Sequence, residues 1–306
     1  MITRLALPLL LVLGFVGVSP VRNAPASEPP FTADGWKTWV GERDQKVKTG
    51  PFSFVSASDV IFATEPMTLY LAAGVPGDKQ KLLKQKPAKV ALTIEYDGEK
   101  AWATDQDGKK SDLVSKDKSD VKLETPYGVN LRASRSERDH RAAFRLFDPK
   151  HPAKVGFQGL SYFPFNPKGI VKARFIYEPQ PKVIEFETVQ SLITKLFKVG
   201  RVEFSFEGKP VVLDAYADES DPAKAKELSF FIKDQTTGKE TYSGGRYLDI
   251  DVAQPLNQLA EVTLDLNRAY NPLCARSKYW NCVRVPGKPL AIALDAGEKA
   301  PIGGHH

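Results

Sequence analysis

The chain has 306 residues, 42% of them hydrophobic, which is enough for one large or two ordinary domains and excludes disorder over most of its length. Its formal net charge at pH 7 is +6, but lysines and acids are interleaved along the chain. Interleaved charges are typical of a solvated surface rather than a phosphate-tracking stripe, so we expect no nucleic-acid partner.

The N-terminus has the three parts of a secretion signal. Arg4 provides a basic start, residues 5–18 form an apolar run, and a small-residue A-x-A site stands at Ala24–Ala26. This run is too short for an ordinary membrane span, and no other stretch is long and apolar enough to cross a bilayer. We predict removal of residues 1–26 and a periplasmic or secreted mature protein without a membrane span. An uncleaved anchor is the alternative, and the oligomeric state stays open.

A Pro-rich lead and one amphipathic helix are predicted over residues 27–50. Asp34 is the expected N-cap, and the helix is expected to continue to about Lys48. Large side chains recur at three- and four-residue spacing on one face, at Trp36, Trp39, Val40, Arg43 and Val47. This pattern favours packing on a sheet over a membrane or sugar contact.

Residues 51–133 predict a first β-rich half. Short segments rich in β-branched and aromatic residues alternate there with Gly, Pro and Asp. The pairs Asp97–Gly98 and Asp107–Gly108 predict tight hairpins, in which positive φ is needed. The second pair also resembles part of a calcium loop, but the closing glutamate of an EF-hand is missing, so the hairpin is favoured.

Residues 134–306 predict a C-terminal β domain that contains the cysteine loop. Its strands are expected at 171–177, 183–187, 192–199, 202–206, 211–216, 228–233, 246–252, 262–267 and 290–294. Helices and strands do not alternate as they would around a parallel sheet. The predicted fold class is mainly β: an antiparallel β-sandwich or partly open barrel in two β-rich halves, with one N-terminal amphipathic helix.

An arginine-rich segment opens this C-terminal domain. Its basic residues are Arg135, Arg138, Arg141 and Arg145, with His140 among them. Arginine suits bidentate contacts with carboxylate or phosphate, so an anion clamp is one interpretation. A solvated charged face is the interpretation that the sequence favours.

Cys274 and Cys282 are the two cysteines of the chain. An exported chain with this spacing favours a disulfide, and the absence of further ligands nearby argues against zinc. Closing so short a loop contributes about 2.6 kcal/mol in the chain-entropy model, so the bond would shape the loop more than hold the domain together. We expect no metal and no cofactor.

Polar residues around the cysteine loop form the candidate binding site. Side chains of this kind either satisfy backbone groups in turns or build a surface that a disulfide holds rigid, and both interpretations stay open. The candidate ligand-binding residues are Arg246, Tyr247, Asp265, Asn267, Arg268, Tyr270 and Asn271.

No residue pattern specifies a reaction, so the catalytic residues are unknown. His140 and His151 lack a nucleophile at a recognisable spacing, and His305 and His306 stand in the tail. Carboxylates suited to acid-base work occur at Glu240, Asp249, Asp251 and Asp265. The leading interpretation is a non-catalytic module for a small polar ligand, a glycan or an envelope component. The alternatives are a hydrolase of an envelope polymer or ester and a structural or assembly module.

Several motifs resemble a bacterial and archaeal family known as domain of unknown function 1684. They are W…ERD at Trp39–Asp44, FRLFDPKHPA at Phe144–Ala153, GLSYFPFNP at Gly159–Pro167, VKARF at Val171–Phe175, GKETYSGGRYLDID at Gly238–Asp251 and the block DLNRAYNPLC…C…PLAIALDAGEK. The resemblance implies a β-rich, often exported protein of no settled activity. It implies no catalytic residues.

Overall fold

The computed structural model describes residues 32–136 and 141–302. Several predicted features lie outside these residues: the secretion signal, the first part of the Pro-rich lead, Arg138, His140, His305 and His306. The mainly β fold class is confirmed, and every strand pairing in the described residues is antiparallel.

The strands are β1 (Ala57–Ala63), β2 (Met67–Ala72), β3 (Val90–Tyr96), β4 (Ala101–Asp105), β5 (Lys110–Asp112), β6 (Asp120–Leu123), β7 (Asn130–Arg135), β8 (Ala142–Phe147), β9 (Ile170–Glu187), β10 (Ile193–Phe206), β11 (Lys209–Ala217), β12 (Glu227–Ile232), β13 (Arg246–Asp251) and β14 (Glu261–Asp265). The α-helices are α1 (Ala33–Thr49) and the single turn α2 (Pro152–Val155).

Helix α1 is the predicted amphipathic helix. Its N-cap is Thr32 rather than Asp34, because the Thr32 hydroxyl accepts a hydrogen bond from Gly35 N at 3.1 Å. Asp34 instead lies in the first turn, where its charge complements the positive end of the helix. The buried face consists of Trp39, Arg43 and Val47. No helix among the described residues has the length and apolarity to cross a bilayer.

Strands β1 to β8 form a sandwich of two sheets, with strand orders β1-β8-β7-β6 and β2-β3-β4-β5. The two sheets share one apolar core, to which Leu69 and Ile94 contribute from one side and Leu131 and Phe144 from the other. Strand β8 pairs with both β1 and β7. It therefore belongs to this sandwich, although the boundary predicted from the sequence assigns all residues from 134 onward to the C-terminal domain.

The sheet that contains β8 has two buried faces. On β8, Phe144 and Leu146 point into the sandwich core, so Arg145 and Phe147 point to the opposite face. Phe147 packs there against Trp280 of the cysteine loop, with ring centroids 6.2 Å apart. We call this sheet, β1-β8-β7-β6, the first sheet. The C-terminal half covers its outer face.

Strands β9 to β14 form a single six-stranded sheet in the order β13-β12-β11-β10-β9-β14. Its two edges meet beyond β14, where Tyr270 exchanges backbone hydrogen bonds of 2.8 and 2.9 Å with Tyr247 on β13. The enclosed core contains the fully buried side chains of Leu228, Phe230 and Leu264. This sheet is the partly open barrel, so the chain contains both predicted architectures.

The hairpin of β9 and β10 is longer than the sequence predicts. The sequence divides each strand in two, into 171–177 and 183–187 and into 192–199 and 202–206, whereas both are continuous in the structure. The register shifts between Lys198 and Gly200, which lets the long pair bend. Glycine is required at 200, because a Cβ would stand 2.3 Å from Ile176 O.

The two Asp-Gly turns are confirmed, and one predicted strand is wrong. Gly98 and Gly108 have φ of 104° and 80° and join β3 to β4 and β4 to β5. Residues 290–294 form a loop rather than a strand, because only two backbone–backbone hydrogen bonds tie them to the segment after β12. The preceding Pro289 has no N–H to extend that pairing.

Candidate functional site

Arg246, on β13, is used inside the protein. It is 1% exposed, and its Nη2 donates to Asp234 Oδ2 at 2.7 Å and to Leu294 O at 2.9 Å. Its Nη1 donates to Ala296 O. The Oδ1 atom of Asp234 accepts from Thr236 N at 2.8 Å. The ion pair therefore fixes the C-terminal segment against the loop that precedes β13.

Asp265, Asn267 and Arg268 form a second internal cluster. Asp265 Oδ1 accepts from the backbone N and from Nδ2 of Asn267, at 3.1 and 2.9 Å. The Asn267 amide also binds both backbone groups of Asn166, at 2.8 and 2.9 Å. Arg268 Nε lies 3.7 Å from Asp265 Oδ2. This cluster holds the loop at Gly159–Pro167, which contains Asn166, against the barrel.

Asn271 takes part in a buried charge network beneath helix α1. Its backbone N donates to Glu298 Oε2 at 3.0 Å. Glu298, 1% exposed, also accepts from Arg276 Nη2 at 2.9 Å, and its Oε2 lies 3.7 Å from Arg43 Nη2. The Arg43 guanidinium stacks over Trp39 at 4.7 Å. The network docks the helix on the closing edge of the barrel.

The predicted disulfide is not formed in the structure, where Cys274 and Cys282 are both thiols. The loop nevertheless brings them together, since Cys274 N donates to Cys282 Sγ at 3.3 Å. A hydrogen bond between the two thiols lowers the pKa of Cys274 and raises that of Cys282. Their oxidation stays a prediction.

Tyr247 and Tyr270, both candidate residues, line a cavity. Their rings pack edge to face with centroids 5.8 Å apart. The Tyr247 hydroxyl donates to Val283 O at 2.6 Å, and the Tyr270 hydroxyl donates to Asp249 Oδ2. Asp249 therefore belongs to the same cavity.

The cavity is a cleft of about 260 Å³ between the sandwich and the barrel. One wall is the outer face of the first sheet, from β1, β7 and β8, and the opposite wall is the outer face of the barrel, from β10, β12 and β13. The cysteine loop closes it. We call this cavity the sheet–barrel cleft, and its principal side chains are Arg132, Arg145, Asp249, Tyr270 and Trp280.

The wall formed by the first sheet is cationic. Arg132 makes a bidentate pair with Asp120, at 2.6 and 3.1 Å. Arg145 is 4% exposed, stacks over the Trp280 ring at 4.0 Å and donates from Nε to Tyr279 O at 2.9 Å. Burial and the neighbouring Arg132 charge lower the pKa of Arg145 to about 9. Arg145 is thus a buried cation at neutral pH.

The barrel wall has two carboxylates, Asp218 and Asp249. Burial raises the pKa of Asp249, and the charges of Asp218 and Asp251 raise it further against the opposing hydrogen bonds from Tyr270 and Ser229. Burial and the Asp249 charge raise the pKa of Tyr270 well above its usual range, so its hydroxyl remains a donor. Acids on one wall therefore face arginines on the other.

The remaining candidates for chemistry stand apart from the cleft. Glu240 and Asp251 are exposed, and His151 Nδ1 accepts from Ala153 N at 3.2 Å as the N-cap of α2. Among residues 32–136 and 141–302, no three His, Cys, Asp or Glu side chains are grouped to hold a metal ion.

Sequence reasoning identified part of the barrel wall and missed the opposite one. The solvated face that it favours for Arg145 is corrected by the structure, in which this side chain is buried. Arg132 and Trp280 were not singled out. The available signal was the alternation on β8: because Phe144 and Leu146 face one core, Arg145 faces the other side. The pattern does not say that another part of the chain covers that side.

Comparison with known proteins bears on the C-terminal half. Residues 155–299 match the model of a family described as protein of unknown function (DUF1684). An uncharacterised protein of Haloarcula marismortui, solved by NMR in solution, is 32% identical, with 50% of this chain and 82% of that chain covered and a TM-score of 0.41. Residues 155–299 belong to this family. A search of the curated proteins gives no match.

The family match covers β9 to β14 and the cysteine loop, and therefore the barrel wall of the cleft. It begins after β8, so Arg132 and Arg145 lie outside the matched residues. The motifs at Trp39–Asp44 and Phe144–Ala153 also lie outside them. The cleft thus combines a family wall with a wall from the preceding sandwich.

Proposed function

We propose that this protein is an exported, non-catalytic module that binds a small polar ligand in the sheet–barrel cleft. The supporting observation is the cleft itself, about 260 Å³ in volume, with arginines on one wall and carboxylates on the other. Apolar side chains such as Phe62, Leu196 and Phe231 lie between these polar groups. Concave sites with apolar walls and a few placed polar groups are typical of small-molecule binding.

The frame around the cleft is rigid, which favours binding because little order is imposed when the ligand enters. The first sheet is fixed from behind by the sandwich core, and the barrel wall by its own core. Trp280 Nε1 donates to Phe54 O at 2.8 Å and so ties the cysteine loop to the sandwich. All three boundaries of the cleft are thereby held in place.

Export is supported by the N-terminal sequence, with its basic start, apolar run and A-x-A site. The adjacent cysteines suit an oxidising compartment. Expression of the full chain in a bacterium and intact-mass measurement of the periplasmic fraction tests this part. Cleavage after Ala26 leaves Ser27 as the first residue. Recovery of the full-length mass from membranes alone would contradict cleavage and favour the uncleaved anchor, and recovery from the cytoplasm alone would contradict export.

Native mass spectrometry of the gently purified protein tests binding. Ala143→Phe places a ring on the β8 face that lines the cleft and is expected to remove a discrete bound mass. Val212→Phe, at a half-exposed position of β11 outside the cleft, is the matched control and is expected to retain that mass.

The two variants separate the interpretations. A bound mass that is absent from Ala143→Phe and present in Val212→Phe supports the cleft and identifies its ligand. A bare wild-type mass, or a bound mass that survives in Ala143→Phe, contradicts the proposal. A bare mass in all three proteins would favour the structural or assembly interpretation.

A hydrolase is the second candidate, and one observation favours it. Asp218 and Asp249 share the barrel wall, and the raised pKa of Asp249 suits a general acid. The carboxylates predicted for this role differ, because Asp251 is exposed and Asp265 is hydrogen-bonded to Asn267. Turnover of glycoside or ester substrates that is lost in Asp249→Asn would support the hydrolase over the binding module.

A further inference from the structure

A row of like charges crosses the first sheet at the cleft. Lys122 on β6 is the cross-strand partner of Arg132 on β7, which in turn is the partner of Arg145 on β8. Like charges at directly opposite positions destabilise a sheet. Asp120 is the carboxylate that pairs with this row, and both of its oxygens are bound by Arg132. The row therefore has an excess of positive charge.

Arg145 is the most deeply buried member of the row. Its single hydrogen bond to the described part of the chain is from Nε to Tyr279 O, and no carboxylate of that part lies within ion-pair distance of it. Its two terminal nitrogens thus have no acceptor among the described residues, although the side chain is only 4% exposed and lines the cleft. A buried cation without an anion is costly, and an anion in the cleft would remove that cost.

The position of Arg145 is fixed before any ligand arrives. Its guanidinium lies over the Trp280 ring at 4.0 Å, and its Nε is held by Tyr279 O. These contacts use one edge and one face of the planar group and leave the terminal nitrogens for a bidentate oxyanion. Arg132 stands beside it, held by Asp120, and adds positive potential.

The barrel wall of the cleft determines which functional groups the rest of the ligand can have. Asp249 accepts from Tyr270, and Asp218 lines the same wall. Carboxylates repel a second anionic group and accept hydrogen bonds from hydroxyl or amino groups. Phe231 and Leu196 on the barrel wall and Trp280 on the cysteine loop provide apolar surface for the rest of the ligand.

We propose that the ligand of the sheet–barrel cleft is a small organic oxyanion, whose carboxylate or phosphate binds Arg145 and whose other end donates hydrogen bonds to Asp249. This inference rests on the proposed function and names its ligand class. Arg145 is the specificity-determining residue, and Arg132 and Trp280 position it.

Isothermal titration calorimetry of the full mature protein with benzoate, benzamide and inorganic phosphate tests the inference. Benzoate and benzamide share a ring and differ in charge. Benzoate and inorganic phosphate are both expected to bind the wild-type protein. Benzamide, which is neutral, is expected to bind more weakly than benzoate. Arg145→Gln is expected to lower the affinity for benzoate about 10- to 100-fold, because a charge-assisted bidentate contact is lost. Arg145→Lys, which keeps the charge, is expected to lower this affinity less.

Arg174→Gln is the matched control. It removes the same charge from β9, where the arginine is exposed and pairs with Glu203 at 3.3 Å outside the cleft. Affinities for all probes are expected to equal those of wild type. Melting curves of each variant confirm folding, and Arg132→Gln provides a second wall variant that retains Arg145.

Three results would overturn the inference. Equal loss of anion binding in Arg145→Gln and Arg174→Gln would show unspecific charge attraction, and absence of binding by both anions would remove the site. Equal binding of benzoate and benzamide, unchanged in Arg145→Gln and lost in Ala143→Phe, would leave the binding module standing but make its ligand neutral. The last result distinguishes failure of the ligand class from failure of the proposed function.

Discussion

Replacing Arg145 with methionine is expected to stabilise the ligand-free protein. Arg145 is a cation, 4% exposed, with no carboxylate partner in the described part of the chain. The decrease of its pKa from 12.5 to about 9 corresponds to a cost of about 5 kcal/mol for keeping the charge in the folded protein. Methionine has no charge to bury.

The contacts that Arg145 makes offset part of this cost. The hydrogen bond from Nε to Tyr279 O contributes about 1.5–3 kcal/mol, and stacking on Trp280 contributes about 1–2 kcal/mol. Methionine retains packing on the Trp280 ring and adds a sulfur–aromatic contact of about 1 kcal/mol. The balance favours methionine by about 1–3.5 kcal/mol, within the range for replacing buried ions by apolar residues.

Equilibrium urea unfolding followed by circular dichroism measures the difference. Arg132→Met is the comparison, because Arg132 has Asp120 as a partner and its loss leaves that partly buried carboxylate unpaired. We expect the free energy of unfolding to rise in Arg145→Met and to fall in Arg132→Met. A decrease in both would refute the reasoning, since Arg145 would then stabilise the fold instead of being held ready for a ligand.

Three further predictions concern other groups. Asp249→Asn is expected to raise the free energy of unfolding at about pH 7. This gain should shrink on acidification, because the pKa of Asp249 is raised in the folded protein and the wild type therefore becomes more stable as the pH falls through that pKa toward the unfolded value. Melting curves over a pH series check this. Arg246→Met leaves Asp234 buried without its cation and is expected to cost about 3–5 kcal/mol in urea unfolding. Oxidation of Cys274 and Cys282 to a disulfide is expected to add about 2.6 kcal/mol, which unfolding with and without a thiol reductant measures. A stability gain of Asp249→Asn that does not change with pH would contradict the first expectation. A loss well below about 3 kcal/mol in Arg246→Met would contradict the second, and equal stability with and without the reductant would contradict the third.

The pattern of the chain was sufficient for its fold class and for most strands. Alternating β-branched and aromatic residues with Gly and Asp at the turns fix strands locally, as the hairpins at Gly98 and Gly108 show. Strand continuity was not predictable, because the bulge at Gly200 interrupts the alternation while the backbone stays in the sheet. The loop at 290–294 was mistaken for a strand because its apolar residues pack on the barrel without a ladder.

The candidate site shows where a sequence ceases to be informative. Asp265 and Asn267 have residue types equally suited to a ligand and to backbone turns, and only their distances to each other and to Asn166 show that they bind backbone. Tyr247 and Tyr270, polar residues of the same candidate set, instead line the cleft.

The local pattern was enough to identify most of the strands and the side of each strand that a residue occupies, because both depend on near neighbours in the chain. What covers each side depends on tertiary packing. Arg145 and Trp280 are 135 positions apart and meet because the cysteine loop folds back over the first sheet. The burial that turns an ordinary arginine into a candidate anion site comes from that long-range packing, which no local pattern encodes.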